Sequence, residues 1–224
     1  MAIFTKWGWI KKNWSYVLEE ADKLSLVFVG GTSLNLVMFD EYRASEDIDL
    51  YNPDSKGIDN PNSRSEEDLV KKLSVALSNK GFEIKKVEER LFYIGPNIKV
   101  EIFNDGTAFE KIEKVNLNGI MVPIFDMKTY AKMKLAALLC RRFYDSRDLV
   151  DVFMLHTKGN IKLSFPIREC EIIEKFLEER IEDIKNTKRE HLLLFQDAQQ
   201  IDVLPYAEFE KFKRWLVDWL SRFC

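Results

Sequence analysis

The sequence predicts an α+β fold, a mixed β-sheet with helices in the N-terminal half followed by a C-terminal helical bundle. Three observations predict it. Short apolar runs alternate with turn residues between Leu26 and Ile124, and from Asp126 onward the apolar residues recur at helical spacing. The chain of 224 residues is 46% hydrophobic with only 9 Gly and 6 Pro, enough to bury a core in one generous domain or two small ones. The change of texture divides it into a sheet domain over residues 1–125 and a helical domain over residues 126–224.

Taken in order, Lys11 to Leu24 mixes aromatic and charged residues at helical spacing. Leu26-Val27-Phe28-Val29 is an apolar run closed by Gly30-Gly31 and reads as a buried strand, with a helix expected from Thr32 to Phe39. Ile48 to Tyr51 is a second short strand, and Asn52 to Ser65 a polar loop. Ser65 with Asp68 three residues on marks a helix start, and Leu69, Leu73, Ala76 and Leu77 form its apolar stripe. Strand patterns follow at Phe82 to Val87, Leu91 to Ile94, Ile98 to Phe103, Ile112 to Leu117 and Ile120 to Ile124. Helices are expected over Met127 to Arg142, Ser146 to His156, Arg168 to Asn186, a piece near His191 to Gln200, and Ala207 to Phe223.

Composition excludes several functions. The 34 basic and 37 acidic residues leave a net charge of -3, so no global field holds a polyanion; that needs a local patch or metal ions. No stretch approaches the roughly 20 apolar residues of a membrane helix, and Met1-Ala2-Ile3-Phe4-Thr5-Lys6 lacks the plan of a signal peptide. The expected setting is the cytoplasm. Cys140, Cys170 and Cys224 are far apart and indicate neither a disulfide framework nor a zinc site. His156 and His191 have no second His or Cys at ligand spacing. Trp7, Trp9, Trp14, Trp215 and Trp219 read as packing residues, the last two on one buried helical face.

Three pieces carry chemistry. Gly30-Gly31-Thr32-Ser33 joins a strand to a helix, where the missing side chains let the backbone approach phosphate oxygens; a plain tight turn is the other reading. In Ser45-Glu46-Asp47-Ile48-Asp49-Leu50, alternation puts Asp47 and Asp49 on one face and Ile48 and Leu50 on the other. Two neighbouring carboxylates repel, and Mg²⁺ or Mn²⁺ bound through oxygen relieves the conflict; an acidic strand edge is the alternative. Lys99-Val100-Glu101-Ile102-Phe103 is the third piece. If its strand lies beside the one bearing Asp47 and Asp49, Glu101 completes a three-carboxylate cluster able to hold two metal ions; otherwise it is a solvated face.

The order of these pieces resembles the nucleotidyltransferase superfamily that includes DNA polymerase beta and the antibiotic nucleotidyltransferases. The closer resemblance is to the AbiEii/AbiGii toxin-like nucleotidyltransferases, the toxin half of two-gene toxin–antitoxin systems. It rests on Gly30 to Leu36 and Ser45 to Leu50 as the first motif, then on Lys132-Met133-Lys134-Leu135-Ala136-Ala137-Leu138 and Asp145-Ser146-Arg147-Asp148-Leu149-Val150-Asp151 as the later Lys and Arg-Asp-Leu-x-Asp motifs. It spans roughly residues 25 to 155. The resemblance implies a nucleotidyltransferase-type sheet, with the helical domain completing the active-site cleft. It also implies that Gly31 and Ser33, within the bend Gly30 to Ser33 that includes Thr32, contact nucleotide phosphates. Asp47 and Asp49 would bind metal, Lys134 would contact the triphosphate, and Asp151 would assist. Glu101 stands where the family commonly has Asp, and its extra methylene leaves open whether it is a third ligand. The same later residues can be read as a surface lysine and a structural Arg147–Asp151 pair four residues apart on a helix.

The function expected is transfer of a nucleoside monophosphate from a nucleoside triphosphate to an acceptor hydroxyl, assisted by Mg²⁺ or Mn²⁺. The resemblance points to the 3′ end of tRNA or another RNA as acceptor and to a cognate antitoxin as partner. A small-molecule nucleotidyltransferase of antibiotic type and a non-catalytic nucleotide-binding protein are the two other classes the residues allow.

Overall fold

The computed structural model describes residues 2–39, 41–54, 64–104, 111–164, 173–197, 200 and 203–224. The middle of the expected polar loop (55–63), the first residues of the helix expected from Arg168, and Cys170 lie outside the described residues. The chain forms two compact units, Met1–Met38 with Ala44–Asp126, and Phe39–Arg43 with Met127–Cys224.

The first unit is built on a seven-stranded mixed sheet. Its strands are β1 (Val27–Val29), β2 (Asp47–Tyr51), β3 (Ile84–Val87), β4 (Leu91–Ile94), β5 (Ile98–Phe103), β6 (Ile112–Leu117) and β7 (Ile120–Phe125), in the spatial order β3-β4-β5-β2-β1-β7-β6. β1 pairs parallel with β7 and β2 parallel with β5; the other neighbours are antiparallel. Strict alternation in β5 buries Ile98, Val100 and Ile102, and β2 buries Ile48 and Leu50 in the same way. Helices α1 (Ala2–Lys23) and α3 (Glu66–Asn79) touch each other, α1 against β1 and β7 and α3 against β3, β4 and β5.

α1 begins at Ala2 rather than at Lys11. Trp7, Ile10, Trp14, Val17, Leu18 and Ala21 form one buried stripe at three- and four-residue spacing, so the first two turns belong to the same amphipathic helix. Gly8, a poor helix former, obscures this in the sequence, yet it sits where a side chain would meet nothing within 4 Å. After β1 the chain turns at once into α2 (Gly30–Ser33), which widens into a π-helical turn, Leu34–Met38. α3 starts as expected: Ser65 Oγ accepts a hydrogen bond from the Asp68 amide at 3.2 Å.

The second unit contains α4 (Met127–Cys140), α5 (Ser146–Thr157), α6 (Ile173–Asn186), α7 (Arg189–Leu192) and α8 (Tyr206–Leu220). α5 is buried on all sides from Asp148 to Leu155, and Phe153 meets Phe209 and Phe212 of α8 edge-on at 5.7 and 5.4 Å. Two expectations are corrected. The buried stripe of α8 is Phe209, Phe212, Leu216 and Leu220, while Trp215 stands 40% exposed, stacked between His156 at 4.3 Å and Trp219 at 6.1 Å. Both sets recur at helical spacing, and burial alone tells them apart. Cys140, for which the sequence indicated no disulfide, is disulfide-bonded, whereas Cys224 is free and exposed. Pairing depends on a Cα separation of roughly 4.4–6.8 Å, which sequence distance does not carry.

Because the Ser65 hydroxyl satisfies one of the otherwise unpaired amides of the first turn of α3, Ser65→Ala is expected to lower the unfolding free energy by about 1 kcal/mol. A urea titration gives this directly, as a lower midpoint with an unchanged slope.

Candidate active site

The parallel register of β2 on β5 sets Asp47 beside Lys99 and Asp49 beside Glu101. Since successive residues of a strand point to opposite faces, burying Ile48, Leu50, Val100 and Ile102 leaves these four charged side chains together on the other face. All four are half-buried. The condition on which Glu101 could join the two aspartates, adjacency of the two strands, is met. Lys99 is part of the same face: its Nζ lies 2.6 Å from Glu101 Oε2 and 3.8 Å from Asp47 Oδ2. Burial by itself would lower the Lys99 pKa. The hydrogen bond to Glu101 and the charges of Asp49, Glu101 and Asp47 outweigh it and raise the pKa above the ordinary value, so the ammonium stays charged.

β1 runs antiparallel to β2 with Val29 opposite Asp49, which brings the glycine bend onto the same face. Gly30 has φ +78°, and a Cβ placed there would come within 2.9 Å of Asp49 Cβ and Cγ. Glycine is therefore required twice over, by backbone conformation and by contact with Asp49. Behind the bend, the Thr32 hydroxyl bonds Ser45 Oγ at 2.6 Å and the backbone carbonyl of Asp47. Gly31, Thr32 and Ser33 are buried, and the Gly31 carbonyl accepts from Asn35 Nδ2 at 2.7 Å. Lys6 of α1 pairs with Glu46 at 3.3 Å, next to Asp47.

Asp47 and Asp49 offer only oxygen donors, half-exposed and with the Lys99 ammonium already drawn to their face; such a set fits a hard divalent cation. Among the described residues no three His, Cys, Asp or Glu side chains are gathered into a group that would hold a metal ion. A cation on the two aspartates would complete its shell with water or substrate oxygens.

Lys134 and Asp151 are brought together in the second unit, but with each other. Asp151 is 0% exposed and fully engaged: Oδ1 accepts from Tyr42 Oη at 2.7 Å and Arg43 Nε at 2.7 Å, while Oδ2 accepts from Arg43 Nη2 at 2.9 Å and lies 2.7 Å from Lys134 Nζ. Lys134 also reaches Asp148 Oδ1 at 3.2 Å, and Arg141 Nη1 holds Asp148 Oδ2 at 2.8 Å. The partner of Asp151 is thus Arg43, whereas Arg147 turns back on Asp145, the N-cap of α5. Burial would raise the Asp151 pKa; the charges of Arg43 and Lys134 hold it well below the usual carboxylate range. Lys134 is raised for the matching reason, the charges of Asp151 and Asp148 prevailing over its burial.

Sequence reasoning passed over Tyr42 and Arg43, and it set Lys99 on the strand face of Glu101 by alternation without giving it a role. Arg43 had a fainter signal: Asp148 and Asp151 interrupt an apolar run of α5, and two carboxylates in such a helix demand cations from elsewhere.

A family model described as nucleotidyl transferase AbiEii toxin, type IV TA system, matches residues 16–218. No curated protein matches the sequence significantly. Among solved structures the chain is similar to the crystal structure of an antigenic nucleotidyltransferase-like protein from Paracoccidioides brasiliensis, with 16% identity and a TM-score of 0.50 over 76% of this chain and 88% of that one. It also matches the crystal structure of ANT(2")-Ia in complex with adenylyl-2"-tobramycin, with 13% identity and a TM-score of 0.40 over 73% of this chain and 94% of that one. The first of these likenesses is one of fold.

Gly30→Ala is expected to cost about 1–3 kcal/mol through the left-handed backbone alone, with the Asp49 carboxylate displaced in addition; chemical denaturation measures the first. Asp151→Asn leaves Arg43 and Lys134 buried beside an uncharged amide and is expected to cost about 3–5 kcal/mol. With its folded pKa below the unfolded value, Asp151 contributes stability that is fully present above about pH 4 and lost as the pH falls from there. Acid unfolding of the wild type should therefore show a steeper loss below about pH 4 than that of Asp151→Asn.

Proposed function

Since the chain belongs to the nucleotidyl transferase AbiEii toxin family and is a nucleotidyltransferase, we propose that it moves a nucleoside monophosphate from a nucleoside triphosphate to a hydroxyl of RNA, the 3′ end of tRNA first among the candidates, and releases pyrophosphate. The observation that carries this reading is the register of β2 on β5, which faces Asp47 and Asp49 to the same side as Glu101, with Asp49 against the Gly30 bend. Asp47 and Asp49 would hold Mg²⁺ or Mn²⁺. Bound there, the ion supplies positive charge for the triphosphate and lowers the pKa of the attacking hydroxyl.

The chain's own residues have distinct tasks in this reading. Gly30 keeps clear the space that Asp49 fills, and Thr32 ties the bend to the start of β2 through the Asp47 carbonyl. The backbone amides of Gly31 to Ser33 are the donors for phosphate oxygens. Glu101 is the third acid of the face, its charge shared with Lys99. Lys134 and Asp151 are a pair within the second unit, in which Asp151 orients the lysine. Membership of a two-component toxin system supports a cognate antitoxin protein as partner and the cytoplasm as the setting. Among the described residues no helix is long and apolar enough to cross a membrane.

The test is incubation of the purified protein with total RNA, Mg²⁺ and each labelled triphosphate in turn. Label is expected in RNA with one triphosphate, and Asp49→Ala is expected to bring it to background. Undiminished transfer by Asp49→Ala would refute the assignment of the aspartates, and transfer that needs no RNA would move the acceptor to a small molecule.

A further inference from the structure

Three carboxylates and one ammonium occupy the reactive face of the sheet, and the ammonium is not incidental. Lys99 comes from the same strand as Glu101, two residues earlier, and faces Asp47 across the β2·β5 pair. It touches the first acid and the third at once, with Nζ 3.8 Å from Asp47 Oδ2 and 2.6 Å from Glu101 Oε2. The formal charge of Asp47, Asp49, Glu101 and Lys99 is -2, which one divalent cation cancels. A second divalent ion would leave the same four groups at +2 before any substrate arrived, and it would have to take Glu101 from a short ion pair.

We propose that Lys99 is a built-in counter-ion that stands in place of a second divalent ion: Asp47 and Asp49 hold one cation, and Glu101 is the partner of Lys99 and not a metal ligand. The inference rests on the metal reading of the two aspartates given above. It accounts for two observations together. A longer Glu stands at the third acidic position and reaches a lysine on its own strand, and the described acidic residues do not gather into a group of three able to hold a metal. The second positive charge then comes with the fold rather than from solution.

The experiment counts Mn²⁺ bound to the full-length protein at low salt by electron paramagnetic resonance of the free ion, without nucleotide or RNA. The wild type is expected to bind one ion per chain. Lys99→Met removes the resident charge and should bind the first ion about tenfold more tightly, the change Coulomb's law gives in water for one unit charge about 6 Å from a divalent ion. It should also take up a second ion. Lys99→Arg keeps the charge and should behave as the wild type. Asp49→Asn should lose the ion. Two ions of similar affinity in the wild type would overturn the proposal without recourse to any variant. So would Lys99→Met binding within twofold of the wild type while Asp49→Asn is impaired, and that result would leave the aspartate site standing. Wild-type binding by Asp49→Asn would instead sink the aspartate site and this inference with it.

Discussion

Negative charges crowded onto one face of a sheet must be neutralised, and the first unit is arranged around that requirement. Adjacent strands lie about 4.8 Å apart, so the register of β2 on β5 brings Asp49 and Glu101 side by side whether or not their charges favour it. The apolar residues on the opposite side enforce the arrangement. Ile48, Leu50, Val100 and Ile102 are buried, and a slip of one residue would turn all of them outward. The hydrophobic effect thus holds the carboxylates in a proximity they would not choose. The neighbouring features are the adjustments that make it tolerable: a glycine where Asp49 needs room, a threonine that fixes the entry to β2, and a lysine that brings an ammonium to the acids.

The second unit meets a similar difficulty and resolves it differently. Asp148 and Asp151 lie on a helix buried on all sides, where an unpaired carboxylate would be expensive. There the charges close on themselves: Arg43 grips Asp151 with two nitrogens, Lys134 bridges Asp151 and Asp148, Arg141 takes the remaining oxygen of Asp148, and the Tyr42 hydroxyl completes the set. The contrast is one of exposure. The acids of β2 and β5 are half-open to solvent with a lysine drawn to their face, whereas Asp151 has no accessible surface. A face left partly unsatisfied toward water is suited to take up an ion and a phosphate chain; a network satisfied inside the core is suited to hold its members in fixed positions.

Much of this could be read in advance because it depends on neighbours in the chain. The strands were legible as short runs between turn residues, down to the ends of β4, β5 and β6, and the facing of Asp47 with Asp49 follows from two-residue alternation. The start of α3 was legible because Ser65 carries its own cap. The reading was weaker where a signal was diluted or duplicated. Gly8 masked the first turns of α1, the aromatic residues of α8 form two overlapping helical patterns of which one is exposed, and of the piece expected near His191 to Gln200 the described residues are helical at His191 and Leu192, in α7, and at Gln200.

Local chemistry therefore specified which residues are acidic, which way each points within its own strand or helix, and where glycine was needed. It could not specify which strands would be neighbours. β2 lies between β1 and β5, and its partner residues on β5 are 52 positions away in the chain. That choice, and with it the meeting of Lys99 with Glu101 and of Arg43 with Asp151, belongs to the packed whole. Periodicity is a property of a few consecutive residues, whereas register and ion pairing are settled by how many apolar side chains can be buried at once across segments remote in sequence.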